Sequence, residues 1–215
     1  MVLHRHILIL LLLLLSHNLY GAGKVVRQSQ PAQVVRGTEK LLTEVNTSVK
    51  MLDAIETLNG TINIVFEDDT KVSLSKYSKL VVDEYVYDSN KNVGKVSLKG
   101  RLGTLRYTSG KIAKNNRKNV KITSPTASVS VRGTDFTMTV EATGKTTFQL
   151  LPSIDANGNS YTGSIAVSNS SGVVVLNQAF EVTRVENNLK PPSAPKKEAR
   201  QAPQEKKPKV KEDQR

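Results

Sequence analysis

The chain has 215 residues, a formal net charge of +12 and no cysteine. The lack of cysteine excludes disulfide bonds, a thiolate nucleophile and a lipid anchor attached through sulfur. The histidines are confined to the first 17 residues (His4, His6 and His17), so the remainder lacks the usual general base and borderline metal ligand. We therefore expect a protein that is not an enzyme, uses no metal or cofactor, and folds by burial and backbone pairing alone.

The N-terminus has the layout of a secretory signal peptide. Arg5 precedes a run of nine apolar residues, 7–15, and the small residues Gly21 and Gly23 follow. This run is less than half of the about 20 apolar residues that cross a bilayer. The sequence predicts a signal peptide over 1–23 and a periplasmic or extracellular mature protein without a transmembrane span. An uncleaved membrane anchor is the alternative.

Residues 24–188 have the pattern of one all-β domain. Apolar and polar residues alternate in short runs such as 62–66, 72–74 and 148–150, and turn residues such as Asn59-Gly60 and Asn157-Gly158 separate the runs. The pattern predicts short antiparallel strands. It is typical of a sandwich or an irregular β-solenoid, and the period of two does not distinguish them.

Charges are segregated along this domain. Eight acidic residues lie between positions 53 and 88, whereas positions 89–134 contain eleven cations and no acid. One interpretation is that neighbouring strands pair these charges across a sheet. The other is an exposed basic loop that binds an anionic partner, with Lys111, Lys114, Arg117, Lys118 and Lys121 as the candidate residues. The scarcity of aromatic residues around this segment disfavours nucleic acid as the partner.

The stretch from 122 to 140 changes its alternation at Gly133. Apolar residues occupy odd positions before it (Ala127, Val129, Val131) and even positions after it (Phe136, Met138, Val140). Because strand side chains alternate between faces, this slip predicts a bulge or tight bend at the glycine. We expect Arg132 to stabilise the bend by bonding several carbonyls or by pairing with a carboxylate such as Asp135, and ligand recognition by Arg132 is the alternative. We expect Thr134 and Asp135 to cap the turn.

This stretch resembles the FecR domain, whose pattern is a strand that ends in Thr-Pro, a strand of small residues, and then Val-Arg-Gly-Thr-x-Phe. The matching residues are Ser124, Pro125, Thr126, Ala127, Val131, Arg132, Gly133, Thr134, Asp135 and Phe136. Residues 64–74 (IVFEDDTKVSL) are similar to the family's Asp-Gly-Ser hairpin, with Asp69 and Thr70 in place of Gly and Ser. The resemblance covers roughly residues 34–182.

The resemblance implies two functions. Many FecR proteins regulate iron uptake through a cytoplasmic segment, one membrane span and a periplasmic region that receives a signal from a receptor. Because we identify no such segment or internal span, the sequence favours an exported binding or structural module that contacts a protein or an anionic envelope polymer. The alternative is an accessory that acts in trans in iron- or siderophore-linked signalling with a sigma-regulator system.

Two acidic segments invite other interpretations. A carboxylate-based hydrolase would need two acids in one cleft, and the cluster at 67–69 is more typical of a solvated turn. Asp155 to Asn159 is similar to the start of a calcium loop, but position 166 is Ala where an acid is required, so a hairpin turn is favoured.

The last segment, 189–215, has five prolines, nine Lys or Arg and four acids. Such a composition predicts a disordered tail that could tether the protein to an anionic surface.

Overall fold

The structure is a computed structural model that describes residues 21–155 and 157–199. Most of the predicted signal peptide (1–20) and the last part of the predicted tail (200–215) lie outside the described residues. Within the described ranges, no helix is long and apolar enough to cross a bilayer.

The described chain is almost entirely β-structure, as the sequence predicts. In chain order the strands are β1 (Gly23–Gln28), β2 (Gln33–Arg36), β3 (Glu39–Leu42), β4 (Ser48–Val49), β5 (Ala54–Glu56), β6 (Ile62–Phe66), β7 (Lys71–Leu74), β8 (Lys79–Asp88), β9 (Val93–Thr108), β10 (Val120–Thr123), β11 (Ser128–Arg132), β12 (Asp135–Val140), β13 (Thr146–Leu151), β14 (Ser153–Ile154), β15 (Ser160–Tyr161), β16 (Ser164–Asn169), β17 (Gly172–Leu176), β18 (Glu181–Val185) and β19 (Lys196–Lys197). A short helix α1 (Lys111–Asn115) and a 3₁₀ helix (Arg117–Asn119) separate β9 from β10.

The strands form two layers that share β9. The first layer has the order β4-β1-β6-β7-β9-β12-β13-β18-β19. The second has the order β3-β2-β5-β8-β9-β10-β11-β16-β17. Positions 93–102 of β9 pair in the second layer and positions 103–108 in the first, and the change falls at Gly103, where φ is +76°.

Antiparallel pairing dominates both layers, as in a sandwich. Among the described strands only β9 and β10 pair in parallel, with Val96 opposite Val120. Parallel neighbours need a crossover connection, and here α1 and the 3₁₀ helix form it. The described strands therefore form a sandwich with one parallel crossover.

A single apolar core fills the space between the layers. It extends along the chain from Ala22 to Val185. Its rings form two tilted pairs, Phe66 with Tyr85 at 5.3 Å and Tyr107 with Phe136 at 5.5 Å between centroids. Burial of each such side chain contributes about 1.5–3 kcal/mol, so this core is the main source of stability.

Gly133 is the corner at which the chain passes from the second layer to the first. β11 ends before it and β12 begins after it, and the glycine has φ +54°. The slip in alternation lets Val131 and Phe136 both point into the core, where they are 2% and 0% exposed. The predicted tight bend is confirmed.

The ion pair at this corner differs from the prediction. Buried Asp135 pairs with Arg106 of β9, whose Nε donates to Oδ1 at 2.9 Å and whose Nη2 donates to Oδ2 at 2.5 Å. The hydrogen bond to Asp135 raises the pKa of Arg106. Arg132 is exposed on the outer face beside Ser130, so the expected pairing of Arg132 with Asp135 is wrong. The strand register determines the partner. Asp135 lies opposite Thr108 of β9, and Arg106 is two residues away on the same face of that strand.

The cap of the turn also differs from the prediction, since Ser109 supplies it. The Thr134 backbone N–H donates to Ser109 Oγ at 3.1 Å, and the Ser109 N–H donates to the Thr134 carbonyl at 3.0 Å. The Thr134 hydroxyl makes only a long contact of 3.4 Å with the Asp135 carbonyl.

Residues 193–199 lie against the first layer and Lys190 lies against the β16–β17 turn of the second, although composition places them in the tail. β19 pairs with β18, and Arg184 donates to both carboxylate oxygens of Glu198 at 2.8 and 2.7 Å. The Gln149 side chain donates to the Glu198 and Ala199 carbonyls at 3.2 Å each. Backbone pairing and an ion pair hold this segment in place. Its low content of apolar residues indicates neither of these interactions, so composition does not predict its order.

The corner yields a stability prediction. Gly133→Val should lower the free energy of unfolding by about 1–3 kcal/mol, because a β-branched residue is strained at φ +54°. A Cβ atom at this position would meet no atom within 4 Å, so a clash does not contribute. Gly133→Asn should cost less, since Asn tolerates this region. Urea denaturation of the three proteins measures the difference, and equal stability of parent and valine variant would contradict the assignment.

Candidate functional site: a basic surface on the β9–β10 crossover

The predicted basic loop is largely helical in the structure. Lys111–Asn115 form α1, Arg117–Asn119 form the 3₁₀ helix, and Lys121 lies in β10. Ile112 and Ala113 are each 1% exposed and fix the helix on the core. The apolar face of this short helix is why it forms here, while its cations point to solvent.

Asp68, in the turn between β6 and β7, fixes the start of α1. Its carbonyl accepts from the Lys111 N–H at 2.7 Å, and its Oδ2 accepts from the Ile112 N–H at 3.2 Å. The same carboxylate accepts from the Thr70 N–H at 3.2 Å and its hydroxyl at 2.8 Å. Gly110 permits this contact, since a Cβ there would lie 2.4 Å from the Asp68 carbonyl oxygen. Asp68 is fully buried, so its predicted placement in a solvated turn is wrong.

Tyr85 completes this buried network from β8. Its hydroxyl accepts from the Asp68 N–H at 3.0 Å and donates to Asp68 Oδ1 at 3.3 Å. Burial, followed by the negative charge of Asp68, raises the pKa of Tyr85. The phenol therefore remains a neutral donor, and hairpin, strand and crossover are connected through one carboxylate.

Asp69 occupies the glycine position of the family hairpin with φ +65°. This is the left-handed residue that closes a short hairpin after a type I turn. Its exposed carboxylate pairs with Lys111 Nζ at 2.9 Å, and this hydrogen bond raises the pKa of Lys111. The predicted hairpin is thus present, and Lys111 is partly neutralised.

Two asparagines hold the far end of the crossover. Asn115 Nδ2 donates to the Asn92 carbonyl at 2.5 Å, and Asn119 Nδ2 donates to the Gly94 carbonyl at 2.8 Å. Both acceptors lie at the β8–β9 turn. The crossover is therefore fixed at both ends.

Several of the strand cations are paired, as the first interpretation of the charge pattern expects. Lys95 pairs with Glu84 at 2.9 Å across β8 and β9. Lys99 pairs with Asp83, and this hydrogen bond lowers the pKa of that carboxyl. Exposed pairs of this kind contribute little stability, but they cancel the charge of the strands.

The crossover cations are different. Four of the five predicted residues and one more form no ion pair in the described ranges, and all are exposed: Lys114, Arg117, Lys118, Lys121 and Arg132. We call these five residues with Lys111 the basic surface. Other cations, such as Lys40, Lys71 and Arg101, are also exposed without an ion pair, but the basic surface differs because Lys114, Arg117 and Arg132 line one hollow.

Arg132 joins the basic surface because of the Gly133 corner. With Lys114 and Arg117 it lines an open hollow of about 560 Å³, whose other residues are Ala113, Asn115, Asn116 and Gly133. Sequence reasoning missed this grouping, since Arg132 lies far from the others along the chain. Its position on the polar face of β11 was the available signal.

The segment that is similar to a calcium loop, Asp155 to Asn159, forms a turn. In the described part of the chain no group of three or more His, Cys, Asp or Glu residues could hold a metal ion. Asp155 accepts from the N–H groups of Asn157 and Asn159 at 2.8 Å each, which lowers the pKa of the Asp155 carboxyl. These residues connect β14 to β15, and the predicted hairpin turn is confirmed.

Comparison with protein families agrees with the resemblance noted above. Residues 53–151 match the family described as FecR protein. The chain contains a FecR domain. The motif residues Pro125, Arg132, Gly133, Thr134 and Phe136 all lie within the match. The match relates the chain to cell-surface signalling and to proteins associated with the cell envelope. No curated protein matches the sequence.

The FecR match corresponds to the centre of the sandwich. It supplies β6, β7, β9, β12 and β13 of the first layer and β5, β8, β9, β10 and β11 of the second. Residues before and after it add two strands at each end of each layer. The basic surface therefore lies on the FecR domain itself, and the outer edges come from the flanking segments.

The Asp68 network yields a second prediction. Asp68→Asn should lower the free energy of unfolding by about 1–3 kcal/mol, because an amide cannot accept all the buried hydrogen bonds. Asp69→Gly is the matched control. It loses an exposed ion pair but relieves a positive φ, so its stability should stay within about 1 kcal/mol of the parent. Chemical denaturation tests both, and an unchanged Asp68→Asn protein would refute the anchoring role.

Proposed function

We propose that this chain is an exported, non-enzymatic binding module whose FecR domain presents the basic surface to an anionic polymer of the cell envelope. The observation that carries the proposal is the hollow that Lys114, Arg117 and Arg132 line together, none of which forms an ion pair with a described residue. Lys95, Lys99 and Arg106 each pair with a carboxylate, whereas Lys114, Arg117, Lys118 and Arg132 form no ion pair, and Lys121 acts only through its charge, which helps to lower the pKa of Asp83. The signal-peptide pattern of residues 1–23 supports export.

The geometry of the basic surface suits a repeating anion. Guanidinium groups bind phosphate and carboxylate in a bidentate manner, and Arg117 and Arg132 border the same hollow. The backbone beneath them is fixed by Asp68 and Asn119, so binding requires little ordering of the main chain. No aromatic residue lines the hollow, which favours a polymer without bases.

The buried carboxylates support a non-enzymatic role. Asp53 accepts from Arg36 at 2.8 and 2.7 Å, and Asp135 accepts from Arg106. Asp68 accepts from Thr70, Tyr85 and Ile112. Each of these acids is engaged by protein donors, and each has a clear structural task.

A second function is favoured by the FecR match. The chain would act in trans as an accessory in iron- or siderophore-linked cell-surface signalling, with a protein receptor as its partner. The two functions differ in salt dependence. Binding to a polyanion weakens steeply as salt rises, whereas a packed protein interface is less affected.

Charge reversal tests the proposal. Residues 24–215 carrying Lys114→Glu, Arg117→Glu and Arg132→Glu should bind lipopolysaccharide vesicles or polyglutamate at least tenfold more weakly than the parent, because the net positive charge of the hollow is lost. Fluorescence anisotropy gives the affinities at about 50 and 300 mM salt, which are below and above physiological ionic strength.

The matched control reverses three exposed cations elsewhere, Lys40, Lys71 and Arg101, with the same change in net charge. It should retain most of the binding. An equal loss in both triple variants would attribute binding to net charge alone and would refute the basic surface. Capture of an outer-membrane receptor that resists salt would favour the signalling function instead.

A further inference from the structure

β17 forms one outer edge of the second layer and lies outside the FecR match. Its sequence is GVVVL, without charge or proline. The side chains of Val173 and Val175 are 64% and 52% exposed. An uncharged edge strand with exposed valines is a template for pairing with another strand.

The hairpin register shows which backbone groups are free. A two-residue turn places Asn169 opposite Gly172, and Val167 lies opposite Val174. Residues of an antiparallel pair alternate between hydrogen bonding to the neighbour and pointing away from it. Gly172, Val174 and Leu176 therefore bond to β16, while Val173 and Val175 direct their N–H and C=O groups outwards. No described strand pairs with that side.

The other three edges of the sandwich are protected. β4 and β19 are two residues long, and β19 consists of two lysines that follow Pro195. β3 carries Glu39 and Lys40. Short strands, prolines and charges are the devices with which proteins prevent edge pairing. The strand β17 itself contains none of them, and Pro191 lies against its first residue, Gly172.

The β16–β17 turn is held in place by the segment that follows β18. Asn169 Nδ2 donates to the Lys190 carbonyl at 2.7 Å and to the Asn187 carbonyl at 3.1 Å. The hydroxyls of Ser170 and Ser171 both donate to the Asn188 carbonyl, at 2.7 and 2.8 Å. The open edge is thus ordered before it binds, which lowers the entropic cost of pairing.

We propose that β17 pairs antiparallel with β17 of a second copy of this chain, about a two-fold axis through Val174. In this register Val173 lies opposite the partner's Val175, and Val175 opposite the partner's Val173. All four residues direct their backbone groups towards the interface, so every outward N–H and C=O group of the two valines finds a partner. The edge is self-complementary, as a two-fold interface requires.

A second copy is the favoured occupant because the edge is self-complementary and is free of the positive charge that covers the chain elsewhere. The chain has a net charge of +12, so two copies repel each other over most of their surface. β16 and β17 contain no charged residue, and neither does the turn between them. Two copies can therefore meet at this edge without opposing cations. Pairing would join two second layers into one sheet that carries two basic surfaces.

A single cysteine tests the register, since the chain has none of its own. Val174 would face the partner subunit's Val174 as a non-hydrogen-bonded pair, at about 4.5 Å between Cα atoms, within the range that a disulfide can span. Under mild oxidation Val174→Cys should form a covalent dimer at least tenfold faster than Leu42→Cys, an exposed control on the β3 edge.

Sedimentation equilibrium completes the test. The parent should dimerise at concentrations up to about 100 µM, the range of a modest edge interface. Val175→Pro should stay monomeric with an unchanged melting temperature, because the N–H that it removes points away from β16. A monomeric parent, equal cross-linking of the two cysteine variants, or a dimer that survives Val175→Pro would each overturn the proposal.

Discussion

The structure depends on a chain that must cross between two layers while keeping one continuous core. It crosses within β9 at Gly103 and again at Gly133, where φ is +76° and +54°. Between these points the chain returns to the second layer beside β9, which requires a crossover. The basic surface is the outer side of that crossover. The position of the basic surface is therefore a consequence of the path by which the chain of the FecR domain moves between the two layers.

Charge is distributed according to the same architecture. Within the layers, several cations face acids on adjacent strands, as with Lys95 and Glu84 at 2.9 Å. The crossover has no neighbouring strand on its outer side, so Lys114, Arg117 and Lys118 have no such partners, whereas Lys111 pairs with Asp69 of the hairpin. Arg132 belongs to this group because the corner at Gly133 ends β11 beside α1. A single carboxylate, Asp68, connects the crossover to the hairpin and to Tyr85.

The sequence predicts this fold to the extent that short-range patterns determine it. The alternation of apolar and polar residues indicates the strands, and its slip indicates the Gly133 corner, because successive side chains of a strand point to opposite faces of the sheet. Burial of Asp68 was not predictable, since it depends on Tyr85 and Ile112, distant in sequence. Partners across the sheet were equally hidden, so Arg132 and not Arg106 was expected to meet Asp135. The ordered segment 189–199 was missed because backbone and ionic contacts hold it.

Resolving the contacts residue by residue tests the central claim, that uncompensated charge on the crossover is the binding surface. We would titrate isotope-labelled protein (residues 24–215) with polyglutamate and follow amide and arginine Nε signals by nuclear magnetic resonance. We expect shifts that are confined to residues 111–121 and Arg132, and that disappear as salt rises. Shifts centred on the paired cations Lys95 and Lys99, or spread evenly over the exposed lysines, would contradict it.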